Sequence, residues 1–388
     1  MSSPVHIPAL TGIRAVAAGM VFYGHMLVGH QTEIPDLMRY GWTGVNIFFA
    51  LSGYLFTYLY SDKLLNNTFS WSDYIKRRLI RIYPLTTLLI CLAVLSQWGE
   101  YSIPNILLHL TLLQAWVPDI RLSLISPMWT LTVEESFYFS APILIYALGS
   151  AYNDVSRRIQ HSNSTTRFLV LTCISVLLWL GTLVFANGAV KLYQNALVYF
   201  TNYWDNEAWT FTILGRIVDF VSGMLAASIA RYYLPKKRYA GDAIVIIGVC
   251  LYIAALTCIT SMGGPNGVGA HRLGIIAQNS VGAAAAAIIY GLHAGGIISR
   301  VLGSKPMHLM GEASFALYLL QLMPLLWWPK LGMQIFYNMQ AAGMHHYVAA
   351  TVSYVVINLV SIGVFLAFER PVSRYLRYRF LQERGLVA

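Results

Sequence analysis

The strongest constraint on this chain is its series of long apolar stretches, each about as long as a bilayer is thick. A hydrocarbon core is ~30 Å deep and a helix rises ~1.5 Å per residue, so about twenty apolar residues cross it. No water reaches a backbone there, so a spanning segment must satisfy its own hydrogen bonds as a helix. Such stretches fall near residues 8–29, 41–60, 79–97, 130–149, 167–186, 210–231, 242–260, 273–292, 312–329 and 346–368. Composition agrees: 57% of residues are hydrophobic and 11% are charged, against roughly 25% charged in a soluble domain. Too little polar surface exists to cover 388 residues in water. The expected fold is an all-α, polytopic integral membrane bundle of about ten transmembrane helices.

Charge placement sets the topology. Pro104–Trp116 is apolar but short. If it does not span, and the N-terminus is inside, the cytoplasmic segments are 61–81, 150–167, 231–238, 293–305 and 370–384. They hold 5, 3, 4, 2 and 5 of the 26 Lys and Arg, while the outer segments hold Arg39, Arg121, Lys191, Arg272 and Lys330, one each. Counting Pro104–Trp116 as a span would turn the later basic clusters outward, against the positive-inside tendency. The region near 104–116 is therefore expected to be a short re-entrant or interfacial helix in an outer loop, with both termini cytoplasmic. The net charge of +10 is then topological, and no basic soluble domain exists to bind nucleic acid. Cys91, Cys173, Cys250 and Cys258 all lie in apolar stretches without ligand spacing, so neither disulfides nor a metal are expected. No cleavable leader is read at the N-terminus; the first apolar stretch is expected to be a retained span.

Ionisable residues inside spans are costly and mark function. Arg14 and His25 are eleven residues apart, three turns plus about 20°, so they share a helix face, separated by ~16 Å along the axis. A lone membrane histidine is as often a packing residue; the Arg on its stripe favours a polar cavity. Arg78 and Arg81, at i and i+3, open the third span and suit phosphate groups or, equally, anionic lipid headgroups. Glu134 and Glu135 begin the fourth span. Capping explains acids at a helix start, but not their placement at the membrane level of His25. Ser52, in the small-residue run Gly44–Tyr54, has no base placed by sequence, which favours packing. Arg216 and Asp219 are read as an internal ion pair.

Together these elements resemble the acyltransferase-3 family of membrane acyltransferases. Arg14 and His25 match its first-span hallmark. Gly44–Tyr54, Arg78–Pro84, Trp129–Tyr138, Ala313–Leu319 and Glu369–Pro371 are similar to its later motifs, in order along nearly the whole chain. Two positions depart from the pattern: Asn46 replaces an Asp common in the family, and Gln321 a His.

The resemblance implies an O-acyltransferase that moves an acyl group, usually acetyl from acetyl-CoA, to a sugar hydroxyl. His25, Glu134 and Glu135 are the expected catalytic residues. Arg14, Arg78 and Arg81 are expected to bind the acyl-CoA, and Asn46, Ser52, Trp129 and Tyr138 the substrate. His25 is open to two roles, general base or acyl-carrying nucleophile. Glu135 is preferred over Glu134 as its partner on spacing to Tyr138. The expected acceptor is a lipid-linked or growing extracytoplasmic glycan, such as exopolysaccharide, lipopolysaccharide or O-antigen. Trp98 and Trp116 of the outer loop would stack on a sugar or anchor at the interface. Competing readings are a small glycosylated acceptor and a proton-coupled transporter using His25. The expected organisation is one transmembrane acyltransferase domain over 1–371 and a basic cytoplasmic tail over 372–388, in a bacterial cytoplasmic (inner) membrane.

Overall fold

The computed structural model describes residues 7–27, 36–159, 162–235, 237–262, 272–325 and 330–381. Residues 28–29 and 326–329, at the ends of the expected first and ninth spans, and 382–388 of the tail lie outside them. The principal helices are α1 (Pro8–Met26), α2 (Gly44–Leu65), α3 (Trp71–Ser96), α4 (Ile103–Leu110), α5 (Trp129–Arg158), α6 (Ser164–Thr201), α7 (Ile213–Tyr232), α8 (Arg238–Ser261) and α9 (Arg272–Ala294). They continue as α10 (Lys305–Glu312), α11 (Ser314–Leu320), α12 (Leu331–Ala341), α13 (His346–Val364) and α14 (Arg370–Leu381). No β-strand occurs among the described residues. Among the described residues, six helical runs are long and apolar enough to cross a membrane: Trp71–Ser96, Thr165–Thr201, Ile213–Tyr232, Tyr239–Ser261, Ile275–Ala294 and His346–Leu381. Helices α1, α2 and α5, of 19, 22 and 30 residues, have the length to span and carry the polar residues singled out above.

Two expectations meet the structure differently. The Pro104–Trp116 stretch holds the eight-residue α4, about 12 Å long, followed by 3-10 turns at Gln114–Trp116, Pro118–Ile120 and Ser126–Met128. It is too short to span. Buried His109 ties this loop together through the carbonyls of Asn105 at 2.7 Å and Ser123 at 3.2 Å. The expected span 312–329 is not one helix. It is broken at Ala313 and ends at Leu320, where the carbonyl of Gln321 turns to accept from the Gly332 amide at 2.9 Å. Pro324 then disfavours helical geometry in the residue before it.

The chain divides into two compact units. One comprises residues 1–10, 45–69 and 133–304, hence α2 and α5–α9. In it, α8 packs along α9, α9 along α7, and α6 along α7. Glycines set these approaches. A Cβ on Gly53 of α2 would lie 2.0 Å from the Phe220 carbonyl of α7, and one on Gly223 would lie 1.8 Å from that of Ala50. The same contact is filled by rings: Phe220 stacks on Phe49 at 4.7 Å and on Phe137 of α5 at 4.1 Å.

The other unit comprises residues 11–44, 70–132 and 305–388. Here α13 packs on α11 and α12, and α14 on α3. Helix α1 is held closely: a Cβ on Gly41 would fall 2.1 Å from the Met20 carbonyl, on Gly44 2.4 Å from that of Ala17, and on Gly311 2.0 Å from that of Thr11. Its other flank meets α13, where Tyr354 lies edge-on to Phe22 at 5.4 Å and the Tyr23 hydroxyl donates to Thr351 at 3.2 Å.

Gly53→Ala and Gly223→Ala are each expected to cost about 1–3 kcal/mol or more by overpacking. Gly188→Ala, a helical site with nothing within 4 Å of the added methyl, is expected to be neutral or slightly stabilising. Melting temperatures in detergent measure the difference.

Candidate functional site

Helix α1 is unbroken from Pro8 to Met26, so Arg14 and His25 lie on one stripe, ~16 Å apart by helical rise. Around its Arg14 end the second unit gathers charge. The fields of Arg81, on α3, and of Arg14 both act on the carboxyl of Glu369. Glu369 is 8% exposed, and its Oε2 has no hydrogen-bond partner. It closes a π-helical turn, Phe365–Glu369. Pro371 explains the turn, because it offers no N–H and its ring crowds the carbonyl four residues back, so the helix widens. Arg78, one turn before Arg81, lies over the Tyr74 ring at 5.6 Å.

At the other end of α1, His25 is half-buried and its Nδ1 has no hydrogen-bond partner. The side chain of Gln321 interacts with this imidazole. Gln321 is fully buried and its Nε2 donates to the Tyr318 carbonyl at 3.0 Å. Gly332 allows the chain to close over it, since a Cβ there would sit 2.5 Å from the Gln321 carbonyl. Trp129, nearly buried, belongs to the same unit.

The remaining expected site residues belong to the first unit, in two hydrogen-bonded groups. In the first, Glu134 accepts from the Ser52 hydroxyl at 2.8 Å and from the Tyr138 hydroxyl. Tyr138 thus bonds Glu134, four residues back on α5. The i, i+4 pair stacks along the helix axis, and a tyrosine leans back towards the N-terminus. Ser52, read as packing, is the donor to a carboxylate. Glu135 is half-buried on the adjacent face of α5.

In the second group, Asn46 Nδ2 donates to Asp219 Oδ1 at 3.1 Å, and Asp219 Oδ2 lies 3.5 Å from Arg216. Arg216 Nε donates in turn to the Thr210 carbonyl at 2.9 Å. All three side chains are at most 1% exposed. The ion pair expected from i, i+3 spacing is present. Asn46 takes a neutral donor's place in it: an Asp at this position would set a second carboxylate against Asp219.

Sequence reasoning missed Gln321 and Glu369 as partners of His25 and of the arginines. Each is hundreds of residues from its partner, and no periodicity relates them. It also passed over His293, whose Nδ1 meets the Tyr54 hydroxyl, with Tyr58 edge-on to the same ring at 5.1 Å.

Asp219→Ala strands the Arg216 guanidinium in the core and is expected to cost about 3–5 kcal/mol of stability. The double replacement Arg216→Met with Asp219→Leu is expected to recover most of that loss. A cycle of melting temperatures gives the coupling.

A family model described as "Acyltransferase domain" matches residues 7–368. O-acetyltransferase OatA of Staphylococcus aureus is 25% identical over 340 residues, covering 82% of this chain and 50% of that protein. Acyltransferase MdmB of Streptomyces mycarofaciens is 32% identical over 158 residues, 36% of this chain and 39% of that protein. The chain thus spans half or less of the length of these relatives. No solved structure matches significantly.

Proposed function

This chain belongs to the acyltransferase-3 family, and on that premise we propose that it transfers an acyl group, acetyl in the first instance, from cytoplasmic acetyl-CoA to a hydroxyl of an extracytoplasmic polysaccharide. It works as an integral protein of a bacterial cytoplasmic membrane, with both termini inside. The observation that carries the reading is the arrangement on α1. One rigid helix holds a guanidinium at one end and an imidazole with a free nitrogen at the other. The ~16 Å between them suits an extended pantetheine arm.

Arg14 and Arg81 hold the phosphates of the donor through charge-assisted bonds. Glu369, within the field of both, fixes their positions before the donor arrives. Arg78, oriented over Tyr74, adds a third cation. His25 acts as a general base. It takes the proton of the acceptor hydroxyl as that oxygen attacks the thioester carbonyl carbon. The carbon–sulfur bond breaks, and the leaving thiolate takes the proton from the imidazolium. Gln321 orients the ring as a neutral partner. In the first unit the Ser52–Glu134–Tyr138 group, Glu135 and Asn46 are assigned to acceptor binding, and in the second unit Trp129 is. OatA is named for O-acetyl transfer, which favours an oxygen acceptor.

Purified protein, labelled acetyl-CoA and candidate glycans test the reading. His25→Ala is expected to lower transfer ~10²–10⁴-fold, the usual contribution of a general base. Arg81→Gln is expected to raise the KM for acetyl-CoA roughly tenfold, from the loss of one bond to a charged group. Undiminished transfer by His25→Ala overturns the assignment, and an acetyl group trapped on His25 replaces the base role with a nucleophilic one.

A further inference from the structure

Within the first unit, the C-terminal ends of α2, α5 and α7 enclose a cleft of about 440 Å³ including its mouth. None of the residues assigned above to acyl transfer lines it. Its polar wall is Thr57, Ser61, Tyr152 and Arg231, and Ile145 and Met224 face them. The room within it for a water-sized sphere is on the order of two water molecules, which suits a compact polar group rather than a chain.

Thr57 is the informative residue. Several threonines inside helices donate to the carbonyl four residues back, as Thr86 does to Ile82 at 2.8 Å and Thr182 to Leu178 at 2.8 Å. Thr57 does not, nor does Thr172, and of the two it is Thr57 that lines the cleft. It is 4% exposed and its hydroxyl has no hydrogen-bond partner. A buried hydroxyl without a partner is costly, so its presence in the wall of a cleft points to a ligand that supplies the acceptor. Arg231 closes the same wall. It donates to Ser61 at 2.5 Å and pairs with Asp62, whose side chain is 70% exposed. Such a solvent-facing pair is weak, and a guanidinium has five N–H donors. Arg231 thus keeps donors for an anion.

The surroundings choose among anions. The three helix ends that form the cleft also carry Lys63, Arg157 and Arg158 in their last turns, and Lys237 and Arg238 follow α7. By the positive-inside tendency this is the cytoplasmic end, next to a leaflet rich in anionic lipid. Leu65, 36% exposed, stands at the mouth, where an acyl chain would lie. We propose that this cleft binds the phosphate of an anionic membrane phospholipid, gripped by Arg231 and the Thr57 hydroxyl. The site does not depend on the acyl-transfer reading.

The test uses full-length protein in detergent, supplemented with phosphatidylglycerol or phosphatidylcholine, and read by native mass spectrometry and thermal melting. The wild type is expected to retain one phosphatidylglycerol and to melt higher with it, and to do neither with phosphatidylcholine. Arg231→Gln and Thr57→Val are each expected to weaken retention about tenfold, as for loss of one bond to a charged group. Thr57→Val carries the discriminating readout. Without lipid it should melt at or above the wild type, because it removes an unsatisfied hydroxyl; a merely structural threonine would melt lower. Equal retention of both lipids, or an unchanged phosphatidylglycerol response in Thr57→Val, overturns the proposal. Displacement of the lipid by inorganic phosphate or CoA overturns the lipid assignment in favour of a soluble phosphate compound.

Discussion

A peptide group in hydrocarbon has no water to bond, and the rest of this protein follows from that. It compels helices, and once lipid surrounds them the hydrophobic effect no longer drives helices together. Close packing must do so instead. Carbonyls of one helix therefore reach the bare Cα of another: Phe220 on Gly53, Ala50 on Gly223, Met20 on Gly41 and Thr11 on Gly311. These contacts hold α1 and α7, the helices that carry His25 and the Arg216–Asp219 pair. Precision at polar groups rests on glycines that have no chemistry of their own.

The same constraint governs the polar residues. A charge removed from water must be paired or used. Arg216 is paired, with Asp219, and Asn46 completes the bonds of that carboxylate. Glu369 shares the fields of Arg14 and Arg81 and still has an oxygen without a partner. His25 keeps a free nitrogen, and Thr57 a free hydroxyl. In the ion-pair group too the Asn46 Oδ1 has no partner. The proposals of acyl transfer and of lipid binding rest on different groups.

Much of this was legible along the chain. A twenty-residue apolar run, an i, i+3 ion pair and an eleven-residue Arg–His spacing are all local, because helix geometry converts sequence separation directly into direction and height. The structure preserves each of them in α1 and α7. Local rules failed where partners come from distant helices. Helix geometry brings Tyr138 to Glu134 on α5, but nothing local announces Ser52, which arrives from α2. Apolar content favoured a ninth span at 312–329. A helix ends where its carbonyls find other donors, and Gln321 finds one in Gly332.

The sequence by itself determined the class of protein, the membrane as its solvent and the stripe that joins Arg14 to His25. Each follows from composition or from the fixed rise and turn of one helix. Only the tertiary structure decided which groups are satisfied: Gln321 beside His25, Glu369 within the fields of two arginines, and Thr57 facing a cleft without an acceptor. Those relations depend on where separate helices meet, which no single helix's periodicity encodes.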